Sequence, residues 1–503
     1  MPFYRNSVVR IILCLFLFIG NTALFAQKDP VAVQYGDQVL PSDLKENLTI
    51  IASDALEGRK TGSRGQKMAA AFIRAHFEEI GLQGPVDGGY YQNVPLYTVV
   101  ASKSTIETTS SSLKNFKDFV FMGLHELKGS VPVVFVGDGE EDSLEKIEIA
   151  GKAVLVISEK NINDMPILAL LDKGAKVVLV CNSMNESTFS AFATRARQSF
   201  ASSRMTLTRP ADAGDLESVV FLSPSSVGKI MGQEFSSLKS YTADSKKIKK
   251  LRKVKEGEVN YSLRNEVKQV NSENVLGYLE GSDKKEEVIV VTAHYDHIGK
   301  KSEGTGDLIN NGADDDGSGT VAVLELAKVF AKAKEEGDGP RRSMLFMTVT
   351  GEEMGLLGSQ YYSENPVFPL SKTVVDLNID MIGRWDPEHK GKHDYVYVIG
   401  SDKLSQELHQ LSERVNSTYT QLDFDYTYND VNHPSNLYKR SDHWNFAKNN
   451  IPIIFYFDGI HEDYHLPSDE VDKIDFDLLT KRTKLVFYTA WELANRNERI
   501  KND

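Results

Sequence analysis

Cysteine is almost missing from this chain: 503 residues hold two, Cys14 and Cys181. Cys14 lies in an apolar N-terminal run that reads as part of a leader. The processed chain then keeps one thiol and has no internal disulfide. Its stability must come from the core and from any bound metal. No run of small residues leads up to Cys14, so lipidation is not expected. Cys181 ends the apolar run KVVLVC and reads as a buried structural thiol. Positive charge is also scarce. Lys and Arg number 58 against 71 Asp and Glu, a net charge of −13. That balance argues against a nucleic-acid partner. The one basic run, Lys246 to Lys255, reads as a solvated hinge or helix face. There is no G-x-S-x-G elbow for a serine hydrolase, no internal repeat and no low-complexity segment.

Long apolar runs are absent too. Ile11 to Ile19 is short for a membrane span. Preceded by Arg5 and Arg10 and followed by Ala23 and Ala26, it reads as the core of a secretory signal over residues 1–26, cleaved after Ala26. The expected location is therefore periplasmic or secreted, with no stable span after cleavage.

What is present is a recurring arrangement of apolar strand and polar end. Val288 to Val291 is unbroken and apolar, as in a strand buried on both faces. It leads to His294-Tyr295-Asp296-His297. An acidic turn, Asp314-Asp315-Asp316, is closed by Gly317-Ser318-Gly319, and Thr320 to Phe330 then has helical spacing. Ser343 to Thr350 is a second apolar strand, ending at Gly351-Glu352-Glu353. Thr373 to Ile379 is a third, ending at Asp380. Ile451 to Phe457 is a fourth, followed by His461-Glu462-Asp463-Tyr464-His465. Chemistry in open α/β sheets sits at the carboxyl ends of strands. A set of His, Asp and Glu without thiolate suits zinc.

Other readings compete for pieces of this pattern. Counted from Asp314, acids at places one and three, Ser318, Gly319 and Glu325 imitate a calcium loop. That motif needs an entering helix, and Gly304 to Gly312 is loop-like. His461 to His465 matches H-E-x-x-H letter for letter. That motif works on a helix, and here Asp458-Gly459 and Pro467 mark turns. Ser441-Asp442-His443 supplies triad residue types without an elbow, so a supporting role beside the site is expected. Residues 27–104 and 246–503 are read as the two parts of one catalytic domain. They enclose an insertion at 105–245 whose strands, such as Val131 to Val136 and Gly151 to Ile157, carry no metal or nucleophile cluster.

Taken in order, AHYDHIG, GADDDGSG, TGEEMGLLGS, NIDMIG, RSDHWNF and YHLPSDE resemble the motif series of co-catalytic zinc aminopeptidases. That is the family of bacterial leucyl aminopeptidases, aminopeptidase Y and glutamate carboxypeptidase. The resemblance runs from about Val288 to Glu470, with a further likeness in LEGR-x-TGS and YYQNVPL. The insertion resembles a protease-associated domain more loosely. The resemblance implies an α/β fold, a doubly wound mixed sheet with an inserted β-rich protease-associated domain. It implies two Zn²⁺ per chain, one held by His294, Asp315 and Asp380, the other by Asp315, Glu353 and His465. Asp315 bridges, and is taken from the three acids by its spacing to Ser318-Gly319. Asp296 would orient His294. Glu352 would be the general base acting on a water held between the metals. The substrates would be peptides cut from the N-terminus. A carboxypeptidase or other amidohydrolase on the same metal pair is the nearest alternative, followed by a receptor-like relative without turnover. Side-chain preference and oligomeric state are not implied.

Overall fold

The apolar runs become the middle of one large sheet. The computed structural model describes residues 28–140, 144, 147–201, 205–210, 217–242, 251–301, 303–430 and 432–503. The expected leader with Cys14, and part of the basic run at 246–250, lie outside the described residues. Strands of the main sheet are β1 (Tyr91–Ala101), β2 (Met205–Thr206), β3 (Asn265–Leu279), β4 (Lys284–His294), β5 (Arg342–Val349), β6 (Thr373–Ile379), β7 (Tyr395–Ile399), β8 (Asp423–Asp425) and β9 (Ile453–Phe457). Their order across the nine-stranded sheet is β8-β7-β9-β6-β4-β5-β3-β1-β2.

The four strands β9-β6-β4-β5 run parallel, and antiparallel neighbours flank them on both sides. Side chains of a strand alternate between its faces. Ile289 and Val291 of β4 therefore face one core, with Leu44 and Leu48 of α1 (Pro41–Ile51), Ala69 and Ile73 of α2 (Arg64–Glu79), Val321, Leu324 and Phe330 of α3 (Gly319–Glu335) and Leu485, Phe487 and Trp491 of α4 (Phe476–Asn495). Val288 and Val290 face the other, with Leu345, Met347, Tyr362 and Phe446. Both faces are covered, which is why these strands read as unbroken apolar runs. Each such side chain contributes about 1.5–3 kcal/mol by leaving water. The fold is thus a doubly wound mixed α/β sheet.

Winding direction places the site. The chain leaves β4, crosses one face through α3 and enters β5. It leaves β5, crosses the other face through the helix Leu357–Glu364, and enters β6 on the far side of β4. Successive connections diverge above β4, and the carboxyl ends of β4, β5, β6 and β9 surround the resulting crevice.

A second sheet of eight strands is built from Thr105–Glu107, Ser112–Lys114, Phe119–Phe121, Leu127–Phe135, Ala153–Ile157, Val177–Cys181, Val219–Leu222 and Gly257–Leu263. Helices pack on both of its faces, giving two further apolar cores. Cys181 ends one of its central strands, fully buried. Burial pushes its thiol up to about 12. Among the described residues no helix is long and apolar enough to cross a membrane.

Candidate metal centre

The three acids of the Asp314-Asp315-Asp316 turn point in three directions. Asp316 faces the main chain: its carboxylate accepts from the N–H groups of His294, Gly319 and Met381, at 3.1, 2.9 and 3.1 Å. One side chain thereby ties the end of β4, the start of α3 and the end of β6. A Cβ on Gly319 would come within 2.4 Å of that carboxylate, so glycine is required there. Asp314 turns the opposite way, accepting from Gly383 N–H at 2.7 Å. Only Asp315, between them, is left pointing into the crevice. The peptide bond between Asp315 and Asp316 is cis.

Two groups of donors converge on Asp315. His294 Nε2 lies 3.2 Å from Asp315 Oδ1 and 3.6 Å from Asp380 Oδ1. On the other side His465 Nε2 lies 3.1 Å from Asp315 Oδ2 and 3.3 Å from Glu353 Oε2. The structure therefore brings all five expected ligand residues to one place. A sixth residue, to which the sequence alone assigns no role, joins them. It is His297, whose Nδ1 lies 2.8 Å from Glu353 Oε1 and 3.7 Å from Asp315 Oδ2. The groups His294–Asp315–Asp380 and His297–Asp315–Glu353 each have metal-binding spacing. Buried Asp315 Oδ2, Glu353 Oε1, His297 Nδ1 and His465 Nε2 have no hydrogen-bond partner. Buried polar atoms are normally paired, so these residues fit a bound cation.

The local field is that of acids held ionised by imidazoles. Burial would raise Asp315, yet His297, His294 and His465 hold its carboxyl well below the usual range. Burial would depress His465, but Asp315 and Glu353 push it up to about 10. Glu352, half-buried at the crevice, is driven well above the ordinary carboxylate range by desolvation and by Glu353 and Asp380, with His294 opposing. Glu352 belongs to neither donor group. Its Oε2 is 3.9 Å from His294 Nε2, and it lines a cavity of about 40 Å³ with His294, Asp315, Asp380, Met381, Leu437, Arg440, Phe455, Phe457, Ile460 and Tyr464.

Asp296 supports the site in a way the sequence did not suggest. His294 Nδ1 is paired with the main-chain carbonyl of Asp296 at 3.0 Å, while the Asp296 carboxylate stands 3.9 Å away. That carboxylate accepts instead from Thr61 Oγ1 at 2.6 Å and Glu352 N–H at 3.2 Å. It links the ends of β4 and β5. Two distant residues complete the frame. Asp469 accepts from Asp314 N–H at 3.1 Å and Asp315 N–H at 3.2 Å. Arg59, fully buried, donates to the carbonyls of Tyr295, Ile51, Asn311 and Gly312 at 2.6–2.9 Å. It joins the β4 end to the approach of the acidic turn. Gly312 adopts φ 56°, and a Cβ there would meet Asp315 O at 2.2 Å.

The competing motif readings separate here. Glu325 sits in α3 and pairs with Lys328, away from the turn, so no calcium loop forms. Ser441 Oγ accepts from Asn378, Asp442 from Ser359, and His443 Nε2 meets the Tyr438 carbonyl. These side chains diverge and form no triad. Burial lowers His443 to about 3. Residues 461–465 form turns rather than a helix, and His461 Nε2 lies 3.2 Å from Asp314 Oδ2 while His465 reaches Asp315. Against burial, Asp314 and its acidic neighbours push His461 up to about 9. His461→Ala leaves Asp314 buried and unpaired, and is expected to cost about 3–5 kcal/mol in denaturant unfolding. The metal content of its folded fraction stays at the wild-type value. Loss of a metal with unchanged stability would instead favour the H-E-x-x-H reading, in which His461 and His465 share one zinc ion.

Residues 274–490 match the model of peptidase family M28. They are a peptidase family M28 domain. A probable leucine aminopeptidase of Arthroderma otae is 30% identical over 221 residues, 42% of this chain and 56% of that protein. Aminopeptidase YwaD of Bacillus subtilis is 26% identical over 241 residues, 46% of each. The chain spans about half the length of these relatives. An aminopeptidase from Aneurinibacillus sp. strain AM-1 superimposes with a TM-score of 0.49 at 18% identity, over 93% of this chain and 97% of that one. The M28 match covers β4, β5, β6 and β9, and with them all six converging residues. Arg59 and Thr61 lie outside it.

Proposed function

We propose that this protein is a secreted zinc exopeptidase that removes N-terminal residues from peptides. The observation that carries the reading is the sharing of Asp315 between two donor groups, with Glu352 beside them in the same cavity. His294, Asp315 and Asp380 would hold one zinc ion, and Asp315, Glu353 and His465 the other. Such a pair, when bound, polarises a scissile carbonyl and acidifies the attacking water. Glu352 stands where it can take the proton of that water and pass it to the leaving amine. Asp296 fixes the main chain of Glu352 and the tautomer of His294 through separate atoms. Met381, Leu437, Phe455 and Phe457 give the cavity an apolar wall suited to an apolar side chain. The leader at 1–26 would direct export. Residues 105–245 would form a protease-associated insertion without chemistry of its own.

One observation favours a second reading. Arg440 is exposed at the cavity and offers a guanidinium to a carboxylate. A carboxypeptidase on the same metals would use it. A panel of aminoacyl anilides, N-blocked peptides and peptides with free C-termini separates the two. Cleavage restricted to free amines, abolished by chelator and restored by zinc, is the expected result. Cleavage of N-blocked peptides at their C-terminus would replace the aminopeptidase with a carboxypeptidase.

A further inference from the structure

We infer that His297 is a sixth metal-binding residue, giving the Glu353 side of the centre four protein donors while the Asp380 side keeps three. This rests on the zinc reading of the site. His297 follows β4 directly, and its N–H donates to Arg59 O at 3.2 Å. Its side chain is fully buried, packed on Gly312 and edge-on to His465 with ring centroids 5.7 Å apart. Neither ring nitrogen has a hydrogen-bond partner. The other buried histidines each have a paired ring nitrogen: His294 Nδ1 meets the Asp296 carbonyl, His443 Nε2 meets the Tyr438 carbonyl, and His461 Nδ1 accepts from Asp463 N–H.

Nδ1 of His297 approaches Glu353 Oε1 to 2.8 Å, and both atoms remain unpaired because the approach lacks hydrogen-bond alignment. Asp315 Oδ2 and His465 Nε2, also unpaired, complete the cluster. An unpaired buried polar atom costs about 1–3 kcal/mol. His297, Asp315 and Glu353 have the spacing of ligands to one cation, and His465 Nε2 lies 3.1 Å from Asp315 Oδ2 and 3.3 Å from Glu353 Oε2, so one bound cation would account for all four. The His461–Asp314 contact lacks alignment too, but it involves only two atoms and no third donor joins it, so it is an ion pair. Four nitrogen and oxygen donors fill the usual coordination of zinc, whereas three leave a position open for reaction. The two positions therefore differ in kind. On this assignment the Glu353 side would hold its ion more tightly, and the Asp380 side, next to Glu352, would leave a position open for reaction.

The test uses the full chain loaded with zinc or cobalt(II). His297→Ala is expected to weaken the tighter zinc site by more than about 100-fold in chelator competition, beyond the 10–100-fold typical of a residue that only orients a ligand. It also alters the visible cobalt spectrum. His297→Cys keeps a donor at this position and should add a thiolate-to-cobalt charge-transfer band. Two bound cobalt ions with no such band, or a His297→Ala loss within 10–100-fold with an unaltered spectrum, would overturn the assignment and leave the zinc reading intact. A wild-type chain that binds no zinc would overturn both.

Discussion

Glu352→Gln is expected to lower kcat by about 10²–10⁴-fold, the usual contribution of a positioned general base, while zinc content stays at the wild-type level. The two halves of this result have separate structural causes. Glu352 follows β5 at a corner, its N–H anchored on Asp296 Oδ1 at 3.2 Å. Its neighbour Glu353 points to His297 and His465, and Glu352 points into the cavity. Adjacent residues at a strand end face opposite ways, which would divide two identical side chains between metal and substrate. Glutamine keeps the shape of Glu352 and its main-chain hydrogen bond but cannot take the proton. Steady-state kinetics on the best anilide, beside metal analysis of the same sample, reads both halves. Zinc loss in this variant would make Glu352 a ligand, and full activity would place the base elsewhere.

Asp315→Asn is expected to abolish binding at both metal positions and to remove all zinc-dependent stabilisation. A ligand at 1,000 times its Kd stabilises the folded state by about 4 kcal/mol. Wild-type thermal unfolding should therefore move upward with added zinc, and that of the variant should not. The reason is that Asp315 alone belongs to both donor groups, one oxygen to His294 and one to His465. It also faces three imidazoles, which hold its carboxyl well below the usual range. Glu353→Gln is the control, since it touches one group only and should retain about half the zinc. If Asp315→Asn kept one ion of wild-type affinity, the shared carboxylate would be refuted.

Much of this centre could be read from the chain before any coordinates. β4, β5, β6 and β9 announce themselves because strands covered on both faces must be apolar throughout. Their polar ends then stand out as His294, Glu352-Glu353, Asp380 and His465. The division of labour among Asp314, Asp315 and Asp316 could not be read this way. Three identical side chains in a row differ only in which main-chain N–H groups lie near them, and those come from β4 and β6. His297 gave little signal, because a second histidine past a strand end has no periodicity to mark its direction. Its nearness to His294 in HYDH was the one hint. Arg59 and Asp469 gave less, since the carbonyl of Tyr295 is 236 residues from Arg59 and Asp315 N–H is 154 residues from Asp469.

The class of sheet and the kind of chemistry were already set in the order of residues. Burial writes itself into composition along a strand, and metal ligands are limited to a few residue types. Which atoms meet was left to the fold. Its winding brings four strand ends to one crevice, and main-chain bonds from Asp316, Asp469 and Arg59 aim Asp315 into it. That aim depends on groups far apart in the chain, which only folding sets side by side.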